Sequence, residues 1–270
     1  MKTKYKIFIA KILSKMLIFF IGKKELIVER NEIKWSLELD QGIDLSIFLF
    51  GNFEKSILDN AKKLMQNDHL DIIDIGANLG VHSLNFAKKF KNSKIYSIEP
   101  TDYAFEKFEK NLQLNPNIDN VNLNRLFLSQ SSFLPSKIYS SWNVLSKEEK
   151  HEKHLGIMKS TSESKVSTLD DFIENKNINR KTLIKCDVDG NELSVFKSGH
   201  KYLKNFKPYI IMELAPYLYE ENGYNYNDLL NFLKKFDYNF YSASSYKEIN
   251  DIFDYAKSIK DGSSVNIFLK

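Results

Sequence analysis

The chain is poor in several features, and each scarcity excludes something. Its 270 residues hold one cysteine, Cys186, so no internal disulfide can form and the usage fits a reducing, cytoplasmic compartment. There are five prolines and ten glycines, and no long Gly/Ser/Pro-rich linker or internal repeat divides the chain. That length and a 43% hydrophobic content suffice for a full core in one to two domains. Acid is missing from residues 1–24, which carry seven lysines, so the rest of the chain holds 32 basic against 35 acidic residues. The net charge of +4 therefore belongs to the N-terminus. No basic cluster interleaved with aromatics occurs elsewhere, which argues against a nucleic-acid surface.

The N-terminus, MKTKYKIFIAKILSKMLIFFIGKKE, has no apolar run longer than Met16 to Gly22, far short of the ~20 residues that span a bilayer. No small-x-small cleavage site follows it, as a signal peptide would require. On a helical wheel Lys4, Lys11 and Lys15 share one narrow face and Ile, Leu, Met and Phe cover most of the rest. Such a helix either lies at the inner face of a membrane or packs on its own domain or a second copy in a homo-oligomer.

Seven apolar runs rich in β-branched and aromatic residues recur at 71–76, 94–100, 121–129, 182–190, 209–215, 238–244 and 264–270. Amphipathic helices are expected between them near 81–91, 102–115, 190–205 and 225–236. The alternation predicts an α/β fold, a seven-stranded mostly parallel sheet with helices on both faces and an antiparallel last strand. The last two runs lack a convincing crossover helix and read as a hairpin. Residues 1–52 form an appendage of a basic helix and a small β unit, 25–52, ahead of a main domain, 53–270, which opens with a helix at about 53–66. A polar insertion at about 130–168 should rise beside the C-terminal ends of the strands, where open α/β sheets bind ligands.

The stretch DIIDIGANLGVHS, Asp71 to Ser83, reads as strand, tight turn and helix start. Its Gly-x-x-x-Gly spacing departs from the G-x-G-x-x-G of dinucleotide binders. Glu99 closes the next strand and can accept the hydroxyl protons of an unphosphorylated ribose. Asp74 at the strand end and Asn78 in the turn suit a cationic amino-acid ligand better than a pyrophosphate. These residues favour S-adenosylmethionine over NAD. The plainer alternative is a turn that only permits close strand–helix packing.

The blocks DIGANLGVHSL, IEPTDYAFEKFEKNLQLN, STLDDF and IKCDVDGNELSVFKSG…IIMEL resemble, in order, those of FkbM-family methyltransferases, from about Phe53 to Tyr241. The resemblance implies a class I, Rossmann-like S-adenosylmethionine-dependent methyltransferase, usually acting on hydroxyl oxygens of sugars, glycans or polyketides. Carried over by position, Asp74, Gly76, Asn78 and Gly80 form the methionine-side loop and Glu99 holds the ribose, with Ala77 and Pro100 beside them. Asp189 stands where the family more often has Glu. Gln130 replaces an acid usual after the third strand, so no adenine contact is assigned.

An alcohol is a weak nucleophile until a base takes its proton. Asp187, at the end of TLIKCD, is the first choice for that base, and the resemblance places its block at the active site. Glu213, ending YIIME, and His82, after the turn, are the other catalytic candidates. Asp189 is read as substrate-binding. Glu192 serves equally well as a helix-start acid. Asp187, Asp189 and Glu213 could share a divalent metal, which nothing in their spacing demands. His151 and His154 read as part of a solvated charged loop. Tyr139, Trp142 and Asn143 in the insertion are candidates for a sugar platform. The expected acceptor is a hydroxyl of a cell-surface saccharide or lipid-linked glycan precursor; a small natural product, and a non-catalytic nucleotide-binding or membrane-recruitment module, are the alternatives.

Overall fold

The computed structural model describes residues 3–66, 69–140, 143–146, 150–152 and 156–270, with side chains from Phe8 onward. Helix α1 (Thr3–Ile21) leads into a hairpin of β1 (Glu25–Arg30) and β2 (Ile33–Glu38), followed by α2 (Gly42–Phe50) and α3 (Lys55–Leu64). Asn31 and Glu32 join the hairpin at φ 53° and 56°, the positive values that a tight two-residue turn requires. The second half of the 25–52 appendage is thus a helix, with its acid, Asp44, in the first turn and Gly51 in the left-handed region as its stop.

The main domain runs through β3 (Asp71–Ile75), α4 (Val81–Lys89), β4 (Ile95–Ile98), α5 (Asp102–Gln113) and β5 (Val121–Asn124). Then come the short strands β6 (Leu126–Leu128), β7 (Lys137–Ser140), β8 (Ile157–Ser160) and β9 (Lys165–Ser167), and helix α6 (Leu169–Asn175). The remainder is β10 (Thr182–Cys186), α7 (Glu192–Ser198), α8 (His200–Phe206), β11 (Tyr209–Leu214), α9 (Pro216–Tyr219), α10 (Tyr226–Lys234), β12 (Phe240–Ser242), α11 (Ile252–Ser258) and β13 (Val265–Leu269).

Seven strands form one sheet in the order β12-β13-β11-β10-β3-β4-β5. From β11 to β5 every pairing is parallel, and β13 runs antiparallel to both of its neighbours. These are the seven expected runs, with three differences. The 121–129 run bends after β5, so that β6 leaves the sheet and pairs with β9. Helix α11 separates β12 from β13, where a direct hairpin was expected. The 190–205 helix breaks at Gly199, where an added Cβ would meet the Leu169 side chain at 2.5 Å.

Period-two alternation decides which side chain meets which helix layer. Ile73, Ile75, Ile184, Cys186, Ile210 and Met212 pack with residues of α6, α7, α8 and α10 on one face. Ile72, Ile95, Leu183, Ile211 and Phe268 pack with α3 and α4 on the other. The appendage is part of the packing, since Ile33, Trp35, Leu37, Ile43 and Ile47 share a cluster with Ala77, Leu79, Val81 and Phe108. The chain leaves β3 toward β4 on one side and its sheet neighbour on the other side is β10, so the strand order reverses here. The C-terminal ends of β3 and β10 therefore open a crevice.

Candidate active site

The turn after β3 explains its own glycine spacing. Gly76 has φ 76°, and a Cβ there would sit 1.8 Å from the Asp187 carbonyl oxygen, so the turn presses against the end of β10. Gly80 has φ 90° and lies flat on the Phe108 ring, where a Cβ would meet carbon at 2.3 Å. One glycine admits the neighbouring strand and the other admits α5. Asn78, at φ 49°, adopts the left-handed conformation that asparagine tolerates, and its side-chain oxygen accepts from the Leu79 N–H at 2.8 Å.

Glu99 is buried beneath this turn. Its Oε2 accepts from the Asn78 N–H at 2.8 Å, and its Oε1 accepts from the Thr101 N–H at 2.9 Å and the Thr101 hydroxyl at 2.5 Å. Burial raises its pKa, and these donors oppose the shift. A carboxylate offers about four acceptor positions, so with three taken about one remains for a ligand hydroxyl. That leaves room for one of the two ribose contacts expected for Glu99.

Lys185 was not foreseen. It is 2% exposed in the middle of the sheet, and its Nζ donates to the Gly76 carbonyl at 2.8 Å. Asp74 Oδ1 lies 3.3 Å away and Asp187 Oδ2 3.8 Å away. Burial alone would lower the ammonium pKa, but the facing Asp74 and Asp187 charges outweigh it and raise it. Asp74, fully buried and accepting from the Ser83 hydroxyl at 2.6 Å, is thus an internal counter-charge outside the cavity wall. Gly80 also lies outside that wall, whereas Gly76, Ala77, Asn78, Glu99 and Pro100 line it.

Asp187 and Asp189, just past the end of β10, and Glu213, near the end of β11, each offer a carboxylate oxygen within 4.8 Å of the others. Depth in the protein, then the Asp187 and Glu192 charges, push Asp189 up to about 8, although its side chain is exposed, which moderates the shift. Burial and Asp187 raise Glu213 well above the carboxylate range, against a hydrogen bond from the Ser264 hydroxyl. Carboxylates this close repel one another unless protons or a hard divalent cation lie between them. His82 lines the same cavity, and its buried Nε2 has no hydrogen-bond partner. Burial, with the Lys185 charge adding, lowers it to about 3, so the ring is neutral and a poor base near pH 7. That weighs against the base role expected for His82.

These groups line a cavity of about 530 Å³, ample for a nucleoside-sized ligand. Leu126, Phe127 and Leu128 supply an apolar wall that stands in the place where no adenine contact was assigned. The insertion stands beside the strands' C-terminal ends, as expected, and lines the cavity with Lys137, Ile138, Tyr139, His151 and Met158. Its hairpin of β7 and β8 is tied to α5 by the Ser160 hydroxyl, which donates to Asp102 at 2.5 Å. Tyr139 lines the cavity and meets His151 edge-on, with ring centroids 4.7 Å apart. His151, read above as solvated, is buried, with Nε2 2.6 Å from Glu221 Oε2. Asn143 stands away from the wall: its amide nitrogen donates to Asp40 at 2.7 Å and its oxygen accepts from the Leu145 and Ser146 N–H groups. Trp142 and His154 fall outside the described residues.

The cavity fits S-adenosylmethionine on its charge. Glu54, Glu99, Asp187, Asp189, Glu213 and Glu221 face it against two lysines, and even with Asp189 and Glu213 holding protons the other four acids outnumber the lysines, of which Lys185 is already engaged. A pyrophosphate would meet that array with repulsion, whereas a sulfonium and an ammonium would meet it with attraction.

A family model described as "Methyltransferase FkbM domain" matches residues 74–240. "Methyltransferase 1" of Beauveria bassiana is 28% identical over 142 residues, 47% of this chain and 57% of that protein. "Methyltransferase sdnD" of Sordaria araneosa is 28% identical over 154 residues, 47% of this chain and 59% of that protein. The matched region thus spans under two thirds of either relative. Among solved structures, the methyltransferase FkbM from Methylobacillus flagellatus KT has a TM-score of 0.47 at 15% identity, covering 74% of this chain and 43% of that one. Another, M. jannaschii TYW2 in complex with AdoMet, has a TM-score of 0.40 at 14% identity, covering 92% and 84%.

Proposed function

The chain belongs to the FkbM methyltransferase family, and on that premise we propose that it moves a methyl group from S-adenosylmethionine to a hydroxyl oxygen of a saccharide or lipid-linked glycan precursor. The observation that carries this reading is the shared cavity: the Gly76–Asn78 turn and Glu99 on one side, the Asp187–Asp189–Glu213 trio on the other.

Gly76, Ala77 and Asn78 would bring main chain against the amino-acid end of the donor, and Glu99 would accept from one ribose hydroxyl. Leu126, Phe127 and Leu128 would pack against the adenine. When bound, the donor supplies a methyl carbon activated by positive sulfur. What remains for the protein is to hold the acceptor oxygen in line and to take its proton. Asp187, held at the end of β10 by its N–H to the Ile75 carbonyl at 3.2 Å, is the base. Glu213 and Asp189 stand beside it and would face the acceptor's other oxygens. Tyr139, Lys137 and Asn222 on the outer wall offer further polar contacts, which suits a polyhydroxylated acceptor.

The test is transfer of a labelled methyl from S-adenosylmethionine to saccharide acceptors. The label is expected in a methyl ether that survives alkali. Label released by mild alkali, as from an ester, or carried on nitrogen would contradict the hydroxyl assignment.

A further inference from the structure

Helix α1 carries a surface that the cavity does not use. Ser14 is fully buried and Ala10, Leu13, Leu17 and Ile18 are partly covered, so this side of the helix faces the body, where α2 is its neighbour. On the other side Phe8, Ile9, Ile12, Met16, Phe19 and Phe20 are 45 to 81% exposed. At about 3.6 residues per turn these six fall within one arc of about 120° opposite Ser14. Lys11 and Lys15 are exposed along one border of the arc and Lys23 follows its end, while Lys24 is paired with Asp40 at 3.0 Å.

Six large apolar side chains in one stripe exceed the scattered exposure ordinary on soluble surfaces. What covers them is constrained by charge, because residues 1–24 hold seven lysines and no acid. A second copy laid on the stripe would bring lysine against lysine. A surface of anionic lipid headgroups offers apolar depth and negative charge together. No helix among the described residues is long and apolar enough to cross a membrane, so the helix would lie in the interface plane. We propose that α1 seats the protein on an anionic bilayer surface, with the Phe8–Phe20 stripe in the headgroup boundary and the flanking lysines among acidic headgroups. This stands independently of the reaction catalysed.

The experiment is co-sedimentation of the full chain with vesicles of phosphatidylcholine and phosphatidylglycerol in equal parts, compared with phosphatidylcholine alone. Binding is expected to the anionic vesicles only, and to weaken as salt rises. Joint replacement Phe19→Ser and Phe20→Ser should lower the partition coefficient about a hundredfold. Joint replacement Lys11→Gln and Lys15→Gln should lower it about thirtyfold. All four side chains are exposed, so thermal unfolding unchanged from the native chain separates loss of the seat from loss of the fold. Equal binding to neutral vesicles, or none to anionic ones, overturns the proposal. So does a lipid-free dimer in sedimentation equilibrium that the serine variant abolishes, which would assign the stripe to a second copy.

Discussion

Replacing Asp187 with asparagine is expected to lower kcat about a thousandfold while leaving S-adenosylmethionine affinity within a few-fold. The substitution removes the proton acceptor and preserves shape, and the main-chain bond from the Asp187 N–H to Ile75 is untouched. Steady-state kinetics paired with a binding titration of the variant would measure both quantities. The native enzyme should also show a rate that rises with pH through about 8. Asp189 is pushed up to about 8 and Glu213 is raised as well, so at lower pH the pair keeps extra protons among the cluster's neighbouring oxygens. Those protons leave as the pH rises, and the trio becomes a better acceptor. The rising limb belongs to the cluster as a whole. Asp189→Asn, which removes one like charge, should move that limb to lower pH. A kcat for Asp187→Asn within tenfold of native would place the base elsewhere.

The second large effect concerns stability. Lys185→Met should cost about 3–5 kcal/mol, because it strands the fully buried Asp74 without its cation. It also removes the donor to the Gly76 carbonyl, and with it the brace between the turn and the end of β10. For a chain of this size the midpoint of thermal unfolding should fall by about 10 °C. Adding Asp74→Asn should restore part of the loss, since the charge is then gone from both sides. Calorimetric melting of the native chain, the single variant and the pair would show this coupling. An unchanged midpoint for Lys185→Met would mean that the pair contributes nothing to the fold.

The sheet was legible because its strands are short β-branched runs bounded by turn residues, and their burial follows period two. DIIDI and YIIMEL read as interior strands on that basis. The main-chain turn was legible too, because Gly76, Asn78 and Gly80 each adopt a positive φ suited to their residue type. Lys185 was not, since within TLIKC it reads as one polar residue in an apolar strand. Its meaning comes from register: Lys185 is paired directly across from Asp74, 111 positions earlier, a relation no local pattern carries. His151 escaped in the same way, because its partner Glu221 arrives from the other side of the cavity. Asp74 was assigned to the ligand because an acid at a strand end resembles a binding group, whereas Lys185 already neutralises it. Asn143 was legible as a versatile amide, but Asp40 and two main-chain donors occupy it.

The central claim is that the crevice between β3 and β10 holds S-adenosylmethionine with Glu99 on its ribose. Isothermal titration of the protein with S-adenosylmethionine and, separately, with NAD tests it directly, repeated on Glu99→Gln. The methyl donor should bind and NAD should not, and Glu99→Gln should weaken the donor about tenfold, the equivalent of roughly 1.4 kcal/mol. Preference for NAD, or no binding of the methyl donor by a folded native chain, would contradict both the cofactor assignment and the catalytic roles built on it.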